Sequence, residues 1–502
     1  MRPASFRLSD PRLLTAAAFT LTFLGTSASP GSAAPDIGFG TIDNLSTIAH
    51  EGTFPDGTSA LSMSTTACNP GTEDISWLAP MAEAHPVVVM QMYRLADGRF
   101  EQVGISAARH EYFALSNSTC QMCQSPSNGT FLGAGCSTTS GTGINADRNL
   151  LGPRDEIDPF LGTWECTGSL FAGGQPDCQA RPHDGDGPLE RRLVVSDSDL
   201  AVSGAAFVYE AYWLTGGDSD KRNSLGSRSV NATHGGSQWI FDDVDDVVDG
   251  AALERWGGTQ TWASLPGDGE LLLASKSWDL GGGLHQYEYA LFNLDSAREV
   301  GEVRIPYGES LPSDIGFHDP DNDSANDWTS QLVAGEVVWA TDPENVDPDA
   351  PALSFGLLYN YRFVSGAPPA DGTATLVAWR SSGDDEVAVA AVVPSAPTSA
   401  PGLSGGATPS GLDFALSCFP LPVHGTAEVS FQMAREAQVQ LSVFDAGGRE
   451  VRSLFRGAVT SGSTQIVWNG RDDVGRAVAP GVYYLRLQTP DGTAGLPVPV
   501  IR

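Results

Sequence analysis

The amino-acid sequence predicts an all-β protein: a large antiparallel β-sandwich domain with disulfide-stapled loops and one or two short helices, followed by a second, smaller β-sandwich. Apolar runs of strand length recur at short, regular intervals with turn residues between them. Glycine (57) and proline (33) are abundant, which favours turn-rich β structure over helices. At 502 residues the chain also exceeds one ordinary core, so we expect more than one domain.

The first 34 residues have the features of a secretory signal peptide. Arg2, Arg7 and Arg12 form a basic start, which is followed by an apolar run over 13–25 and then by small residues. The apolar run is too short to span a bilayer, and no later stretch approaches that length. We therefore predict that 1–34 is removed on export and that the remaining protein has no transmembrane anchor.

The strand-like runs fill the region 35–393, which we predict to be one β-rich secreted domain. In chain order they cover 86–94, 191–195, 205–214, 270–278, 285–293, 299–306, 333–340, 354–363, 374–379 and 386–393. The runs at 270–278 and 285–293 are separated by a Gly-rich turn and are expected to form a hairpin.

Two segments depart from this pattern and are interpreted as helices. In 104–115, Ile105, Ala108, Tyr112 and Leu115 fall on one helical face. The acidic segment 242–256 looks like a calcium loop at first, but a helix explains it better. Its aspartates crowd the N-terminal half, where the helix dipole favours negative charge. Gly250 is the position least compatible with this helix.

Six cysteines lie in 35–393 (the front domain), five of them in its irregular stretch 116–190, and an exported protein is expected to oxidise them. Cys166 and Cys178 bracket a short Gly-rich loop and are predicted to pair. The other four can pair in three ways, which remain open: Cys68, Cys120, Cys123 and Cys136. Cys120 and Cys123, with His110 and Cys136 nearby, also match a zinc site, although disulfides are favoured.

The net charge of -33 and the pI of about 4.4 argue against nucleic acid and anionic membranes as partners. The excess of acidic over basic residues lies in the front domain, because acidic residues and arginines are equal in number over 412–502. Between the two regions, 394–411 is rich in proline, serine and glycine and is predicted to be a linker.

The C-terminal region carries three motifs: Val-x-Asp-x-x-Gly-Arg-x-Val at 443–451, Trp-Asn-Gly-Arg-Asp at 468–472 and Ala-Pro-Gly-Val-Tyr-Tyr-Leu-Arg at 479–486. They resemble the FlgD-type immunoglobulin-like C-terminal domain of secreted bacterial proteins, which is close to the type IX (Por) sorting modules. The resemblance covers 412–502 and implies a small Ig-like β-sandwich with a role in sorting to the outside of a bacterial cell. Residues 36–393 resemble only uncharacterised secreted bacterial proteins, which implies no activity.

The clearest metal-ligand pattern is an acidic loop. Asp319, Asp321, Asp323 and Asp327 occupy positions 1, 3, 5 and 9, and alternate carboxylates in a turning loop can face one Ca²⁺ ion. A complete EF-hand is excluded because serines stand where its glycine and its last glutamate belong. A simpler calcium loop and a solvated acidic loop both remain open.

Catalytic signatures are sparse. The folded region has no Gly-x-Ser-x-Gly elbow and no His-Glu-x-x-His motif. Glu210 and Glu288, each between aromatic residues on a predicted strand, are candidates for the paired carboxylates of a glycosidase. Strand alternation alone instead places both on a solvent face. His110 and His318 are candidate ligands or bases, although a hydrogen-bonded or surface role is the simpler expectation.

The sequence therefore favours a secreted or cell-surface β-sandwich protein with a non-catalytic binding or structural role, with Ca²⁺ as a candidate stabilising ion. Extracellular polysaccharide and other cell-surface components are the expected partners. The alternative is an extracellular hydrolase that acts on polysaccharide through paired carboxylates.

Overall fold

The computed structural model describes residues 35–48, 57–78, 81–111, 113–126, 128–183, 191–308, 310–321, 323–395, 414–419, 423, 425–433, 435, 437–445, 449–460, 462–490 and 492–500. The predicted signal peptide and nearly all of the predicted linker lie outside these residues. The described part is all-β with antiparallel sheets, as predicted. None of its helices is long and apolar enough to cross a membrane.

The first part of the chain forms one large antiparallel sheet, called the first sheet. Its strands and the small pieces beside it are β1 (Gly38–Thr47), β2 (Thr58–Cys68), β3 (Ile75–Ser76), β4 (Val87–Ala96), β5 (Arg99–Ile105), β6 (Ala108–His110), β7 (Phe131–Leu132), β8 (Ser137–Ser140), β9 (Leu151–Gly152), β10 (Ile157–Asp158), β11 (Thr163–Trp164), β12 (Leu193–Ser196), β13 (Ala206–Leu214), β14 (Leu225–Gly235), β15 (Gln238–Asp243) and β16 (Val248–Asp249). The main strand order is β1-β2-β12-β5-β4-β13-β14-β15, while β3–β7 and β10–β11 form separate ribbons.

The first sheet rolls up, so that its two ends approach each other. The Thr47 hydroxyl on β1 donates to the Trp239 carbonyl on β15 at 2.9 Å, and the Arg228 guanidinium on β14 donates to the Ile42 carbonyl at 3.1 Å. Apolar side chains from β1, β2, β4, β12 and β13 fill the inside. This rolling encloses a core within a single sheet.

Two five-stranded antiparallel sheets follow. Their strands are β17 (Thr259–Ser264), β18 (Glu270–Gly281), β19 (Leu284–Asn293), β20 (Val300–Pro306), β21 (Ser313–His318), β22 (Thr329–Val333), β23 (Glu336–Ala340), β24 (Leu358–Ser365), β25 (Pro369–Ala378) and β26 (Glu386–Pro394). The second sheet has the order β17-β18-β19-β24-β21, and the third has the order β22-β23-β20-β25-β26. The predicted hairpin is confirmed as β18–β19.

The second sheet lies between the other two. Leu272 and Ala274 on β18 pack toward the first sheet, whereas Leu271 and Leu273 pack toward the third. Alternation along a strand therefore separates two buried faces here, not a buried face from a wet one. The central strands of the stack are covered on both sides, which decides the position of the candidate site.

The prediction of a helix over 104–115 is wrong, because this segment holds the end of β5 and the short strand β6. Side chains on both faces of β6 are buried: Ala108 lies in the core, and Arg109 and His110 are 0% exposed. The strand is thus stabilised by partners on two sides, which a helical wheel does not detect. The short α-helices occur elsewhere, at Thr142–Asn145 and Asp197–Leu200.

The helix predicted over 242–256 is also wrong for most of its length, since only Ala252–Trp256 is helical, as a 3-10 helix. Asp245 accepts hydrogen bonds from the backbone amide and the hydroxyl of Ser229, and it forms an ion pair with Arg255. Gly250 has φ of +97°, which ends any regular helix at that position. Asp245 therefore serves as an acceptor for a neighbouring strand and not as a helix-dipole partner.

The C-terminal module is a small β-sandwich with its own core. Its strands are β27 (Phe414–Phe419), β28 (Ala427–Met433), β29 (Ala437–Asp445), β30 (Glu450–Val459), β31 (Gly462–Trp468), β32 (Gly481–Thr489) and β33 (Gly492–Val500). They form the sheets β27-β28-β31 and β30-β29-β32-β33. Trp468 is fully buried at the centre. The strand β33, which contains Pro497 and Pro499, lies at a sheet edge, where missing N–H donors are tolerated.

Candidate functional site

Glu210, one of the two candidate catalytic carboxylates, lies in the interior between the first and second sheets and is 0% exposed. It accepts hydrogen bonds from the Tyr93 hydroxyl at 2.8 Å and the Gln91 amide at 3.1 Å. The backbone N–H of Ala252 also donates to it. Burial raises the pKa of Glu210 to about 7, while the bonds from Ala252 and Tyr93 act in the opposite direction. The three donors thus come from two segments: Gln91 and Tyr93 lie on the adjacent strand β4, and the third is the backbone at Ala252.

A chain of buried amides continues from Glu210 to the second sheet. Gln102 donates to the Gln91 side chain and to the Gly356 carbonyl, the latter at 3.0 Å. The backbone N–H of Leu358, at the start of β24, donates to the Gln102 side chain at 2.8 Å. These bonds join the two sheets across the layer between them. The geometry is that of a structural network.

Glu288, the other candidate, faces the same inter-sheet layer from β19 and is 1% exposed. Its carboxylate accepts hydrogen bonds from Arg99 Nε at 2.9 Å and from the Gln286 side-chain amide at 3.2 Å. Burial raises its pKa to about 7, and Arg99 acts in the opposite direction. The expectation that alternation exposes Glu210 and Glu288 to solvent is wrong, because both strands have a sheet packed on each face. Neither residue is among those that line the cavity of about 560 Å³ beside Trp164 and Phe355.

The acidic loop between β21 and β22 brings its aspartates near one another with unequal exposure. Asp319 is 2% exposed and its Oδ2 atom has no hydrogen-bond partner, whereas Asp321, Asp323 and Asp327 are exposed. Burial, together with the neighbouring Asp321, raises the pKa of Asp319 to about 7. In the described part of this loop no three carboxylates have oxygens within 4.8 Å of one another.

The two candidate histidines are both interior residues. His110 contacts His85 through the ring nitrogens, and Trp164 packs edge-on against both rings at 4.8 and 4.9 Å. Burial lowers the pKa of His85 to about 4 and that of His110 well below its usual value. His318, beside the acidic loop, also has its pKa lowered by burial. These environments favour neutral imidazoles.

The cysteines form disulfides, and the structure selects one of the three open pairings. The bonds are Cys68–Cys120, Cys123–Cys136 and Cys166–Cys178. The predicted local pair is confirmed. The zinc alternative at Cys120 and Cys123 is wrong, because a sulfur in a disulfide is not a thiolate ligand. Glu165, Cys166 and Cys178 also have ligand atoms within 4.8 Å of one another, but both cysteines are in a disulfide and so cannot bind a metal as thiolates.

A cavity of about 560 Å³, which no sequence motif predicted, is lined by residues from five segments. Its charged lining consists of Glu83, Arg154, Asp155, Glu156, Asp158, Glu165, Glu299 and Arg380. Trp164 and Phe355 also contribute. The only local sequence signal is the charged run at 154–158 within an otherwise Ser- and Gly-rich region. The remaining residues come together only in the tertiary structure.

Two carboxylates of this cavity are electrostatically perturbed. Glu299 adopts φ of +54° and pairs with Arg380 at 3.1 Å; burial raises its pKa to about 7, against the effect of Arg380. Glu156 accepts the Leu170 amide at 2.7 Å, while its other oxygen is buried and has no hydrogen-bond partner. Burial raises the pKa of Glu156 as well. Perturbed carboxylates in a concave site are typical of functional sites.

Comparison with known proteins identifies the C-terminal module. The family model for the FlgD Ig-like domain matches residues 421–492, which confirms the resemblance carried by the three motifs. No curated protein matches the chain.

Among solved structures, the chain is similar to dimeric latent PorU from Porphyromonas gingivalis, with 11% identity and a TM-score of 0.20. That match covers 93% of this chain but 34% of PorU, so the chain spans about a third of that protein's length. The Actinomyces fimbrial adhesin FimA shows 10% identity and a TM-score of 0.17 over 46% of this chain and 97% of FimA. The RrgB pilus protein of Streptococcus pneumoniae shows 12% identity and a TM-score of 0.16 over 62% and 53%. Likenesses this weak carry no functional argument.

Proposed function

We propose that this chain, which ends in a FlgD Ig-like domain, is a secreted or cell-surface bacterial β-sandwich protein with a non-catalytic binding or structural role. The N-terminal signal-peptide pattern and the C-terminal module support export independently of each other. The sparing use of lysine and the strong negative charge of the front domain suit an exposed, soluble surface.

The observation that carries the non-catalytic role is the burial of Glu210 and Glu288. A glycosidase needs two carboxylates beside an open cleft, one to protonate the leaving group and one to act as base or nucleophile. Here both groups are enclosed between sheets and engaged by protein donors. Glu288 links the second sheet to Arg99 of the first, whereas Glu210 is held by Gln91 and Tyr93 of its own sheet and by Ala252.

The cavity around Trp164 and Phe355 is where we propose that a ligand binds. Carboxylates and guanidinium groups can hydrogen-bond sugar hydroxyls, and Leu161 of the lining, which is 57% exposed, offers apolar surface beside them. Extracellular polysaccharide therefore remains the proposed ligand class.

The test uses the full chain without 1–34, passed over immobilised polysaccharides, with retention and released reducing ends both measured. We expect retention without turnover. Ala297→Trp, which fills the cavity, should reduce retention at least tenfold. Thr373→Trp, on an exposed part of β25, should leave it unchanged. Equal retention by both variants would refute the cavity as the binding site.

A second candidate function is polysaccharide hydrolysis inside the same cavity. It is favoured by one observation: Glu156 and Glu299 both line the cavity and both have raised pKa values, as a general acid requires. Release of reducing ends that is abolished in Glu299→Gln and Glu156→Gln, but kept in the exposed variant Glu73→Gln, would establish hydrolysis. The non-catalytic proposal would then be wrong.

A further inference from the structure

Two buried histidines support one wall of the cavity from the protein interior. His85, just before β4, is 2% exposed, and His110, on β6, is 0% exposed. A hydrogen bond between His85 Nε2 and His110 Nδ1 joins their rings, and we call these two residues the histidine pair. Trp164 packs edge-on against both rings, and it also lines the cavity of about 560 Å³. The position of this cavity wall therefore depends on the histidine pair.

The hydrogen bonds of the histidine pair determine where its protons are. His85 Nδ1 lies 2.9 Å from the Ala82 carbonyl oxygen, which can only accept, so Nδ1 carries a hydrogen. In a neutral ring the other nitrogen is an acceptor, so His85 Nε2 accepts from the Nδ1–H of His110. The Ala82 carbonyl also accepts the Trp164 indole N–H at 2.8 Å. One carbonyl thus holds both the histidine pair and the tryptophan.

Neither ring can take a second proton in this arrangement. A proton on His85 Nε2 would face the N–H of His110, because that nitrogen is already the acceptor of the bond. His110 Nε2 is buried and has no hydrogen-bond partner in the described part of the chain, and a Cβ on Gly152 would lie 2.9 Å from it. The Phe171 ring packs against His110 with ring centres 4.5 Å apart. A charged N–H at Nε2 would be buried without an acceptor, which is strongly unfavourable.

The charged groups around the histidine pair do not compensate such a proton. The titratable residues on the segments packed against it are Glu83, Arg109, Glu111, Glu156, Glu165 and His183. The charge of Glu111 favours a protonated His85, but Glu111 already pairs with Arg109 and accepts from the Ser140 hydroxyl at 2.7 Å. Arg109 acts against protonation of His110. The surroundings therefore favour two neutral rings.

We propose that the histidine pair is an acid-sensitive support of the cavity: protonation of either ring breaks the bond between His85 and His110, releases Trp164 and opens the wall that it forms. The part that moves is the ribbon of β10 and β11, which is a sheet of its own with two residue pairs. Such a ribbon can open locally while the large sheets stay folded. The proposal rests on the proposed ligand site only for its effect on binding.

The direction of the pH effect follows from burial. Burial lowers the pKa of His85 to about 4 and that of His110 well below its usual value. In the open state both rings meet water and titrate near the ordinary pKa of about 6.5. The closed state is therefore fully favoured above about pH 6.5, and it loses stability relative to the open state as the pH falls toward 4.

The first arm of the test measures hydrogen exchange of the peptide 157–171 in the chain without 1–34, at pH 7.5 and pH 5. Rates are corrected for the intrinsic effect of pH on exchange. We expect the protection of this peptide in the wild type to fall about tenfold or more between the two pH values, because the open state gains population. The central strand β19 should keep its protection. Equal protection of 157–171 at both pH values overturns the inference, and this result needs no variant.

Variants show whether the histidine pair causes the change. His110→Asn should remove the difference between the two pH values, because its amide can donate to a neutral His85 and, after turning over, accept from a protonated one. The matched control is His234→Asn, since His234 also packs edge-on against a tryptophan, Trp239, but is exposed. It should retain the wild-type difference. A loss of protection that His110→Asn shares with the wild type also overturns the inference.

The second arm measures retention of the same proteins on immobilised polysaccharide at the two pH values. The wild type should be retained about tenfold less at pH 5 than at pH 7.5, whereas His110→Asn should be retained equally at both. Absence of retention at either pH, together with the expected exchange, supports the acid-sensitive support and counts against the cavity as a polysaccharide site. Failure of the two proposals is thereby distinguished.

Discussion

Replacement of Glu210 is the sharpest probe of whether the inter-sheet carboxylates are structural. Three donors converge on it, from Tyr93, Gln91 and Ala252. Glu210→Ala leaves all three without their acceptor in a site that is 0% exposed. Each orphaned buried donor costs about 1–3 kcal/mol, and because such effects are not additive we expect a total of ~3–5 kcal/mol.

The expected melting shift follows from the size of the front domain. With an unfolding entropy of about 2.1 cal/mol/K per residue, the predicted front domain, 35–393, gives roughly 0.75 kcal/mol/K, so Glu210→Ala should melt ~4–7 °C lower. Glu210→Gln keeps the volume but sets its amide N–H₂ against one donor, and it should lose about 1–3 kcal/mol. The exposed variant Glu386→Gln is the control, with a change of at most about 0.5 kcal/mol.

The pH dependence of stability tests the environment of Glu210 independently of the melting shift. Burial raises the pKa of Glu210 from 4.5 to about 7. A raised pKa contributes stability that is fully present below the unfolded value and is lost as pH rises through the folded value. The wild type should therefore gain about 2.5 kcal/mol relative to Glu210→Gln between pH 8 and pH 5. The assay is calorimetric or fluorescence-monitored melting at both pH values. An unchanged melting temperature in Glu210→Ala, with loss of a hydrolytic activity, would refute the structural role.

Two further predictions concern the region that the cysteines cross-link. Replacing Cys68 and Cys120, which close a loop of 52 residues, by alanines should lower the free energy of unfolding by about 4 kcal/mol. The same change at Cys166 and Cys178, which close a loop of 12 residues, should lower it by about 3 kcal/mol. Both values are measured by denaturant unfolding, and a larger loss from the shorter loop would contradict the loop-entropy explanation. Burial lowers the pKa of His85 from 6.5 to about 4, against the weaker effects of its bond to Ala82 and of Glu111. The contribution of His85 to the free energy of unfolding, fully present above pH 6.5, should therefore fall by about 3 kcal/mol as the pH drops to 4. His85→Asn should lack this part of the pH dependence. If stability falls equally with pH in the wild type and in His85→Asn, the pKa of His85 is not lowered.

Much of the architecture was accessible from local patterns. The hairpin β18–β19 was predicted because two apolar runs flank a Gly-rich turn, and the bond Cys166–Cys178 was predicted because its loop is short. The C-terminal module was recognisable from three short motifs, all of which lie within the residues 421–492 that the family model matches. These features depend on neighbours in sequence.

The two false helices show where local patterns fail. The face shared by Ile105 and Ala108 is compatible with a helix, yet β6 is a strand because its residues find partners on both sides. In 242–256 the aspartates suit a helix N-terminus, but Ser229 and Arg255 supply better donors. Tertiary partners outweighed local propensity in both segments.

The sequence by itself determined that this protein is β-rich, disulfide-linked and closed by an Ig-like module, because period-two alternation, cysteine content and turn residues are local properties. Only the tertiary structure decided what covers each strand face. Strand alternation predicts a solvent-facing side for Glu210 on β13 and for Glu288 on β19. In the structure that side of each strand is covered by another sheet and not by water. The cavity and the orphaned oxygen of Asp319 were likewise decided by packing, since each depends on which distant segments exclude solvent from it.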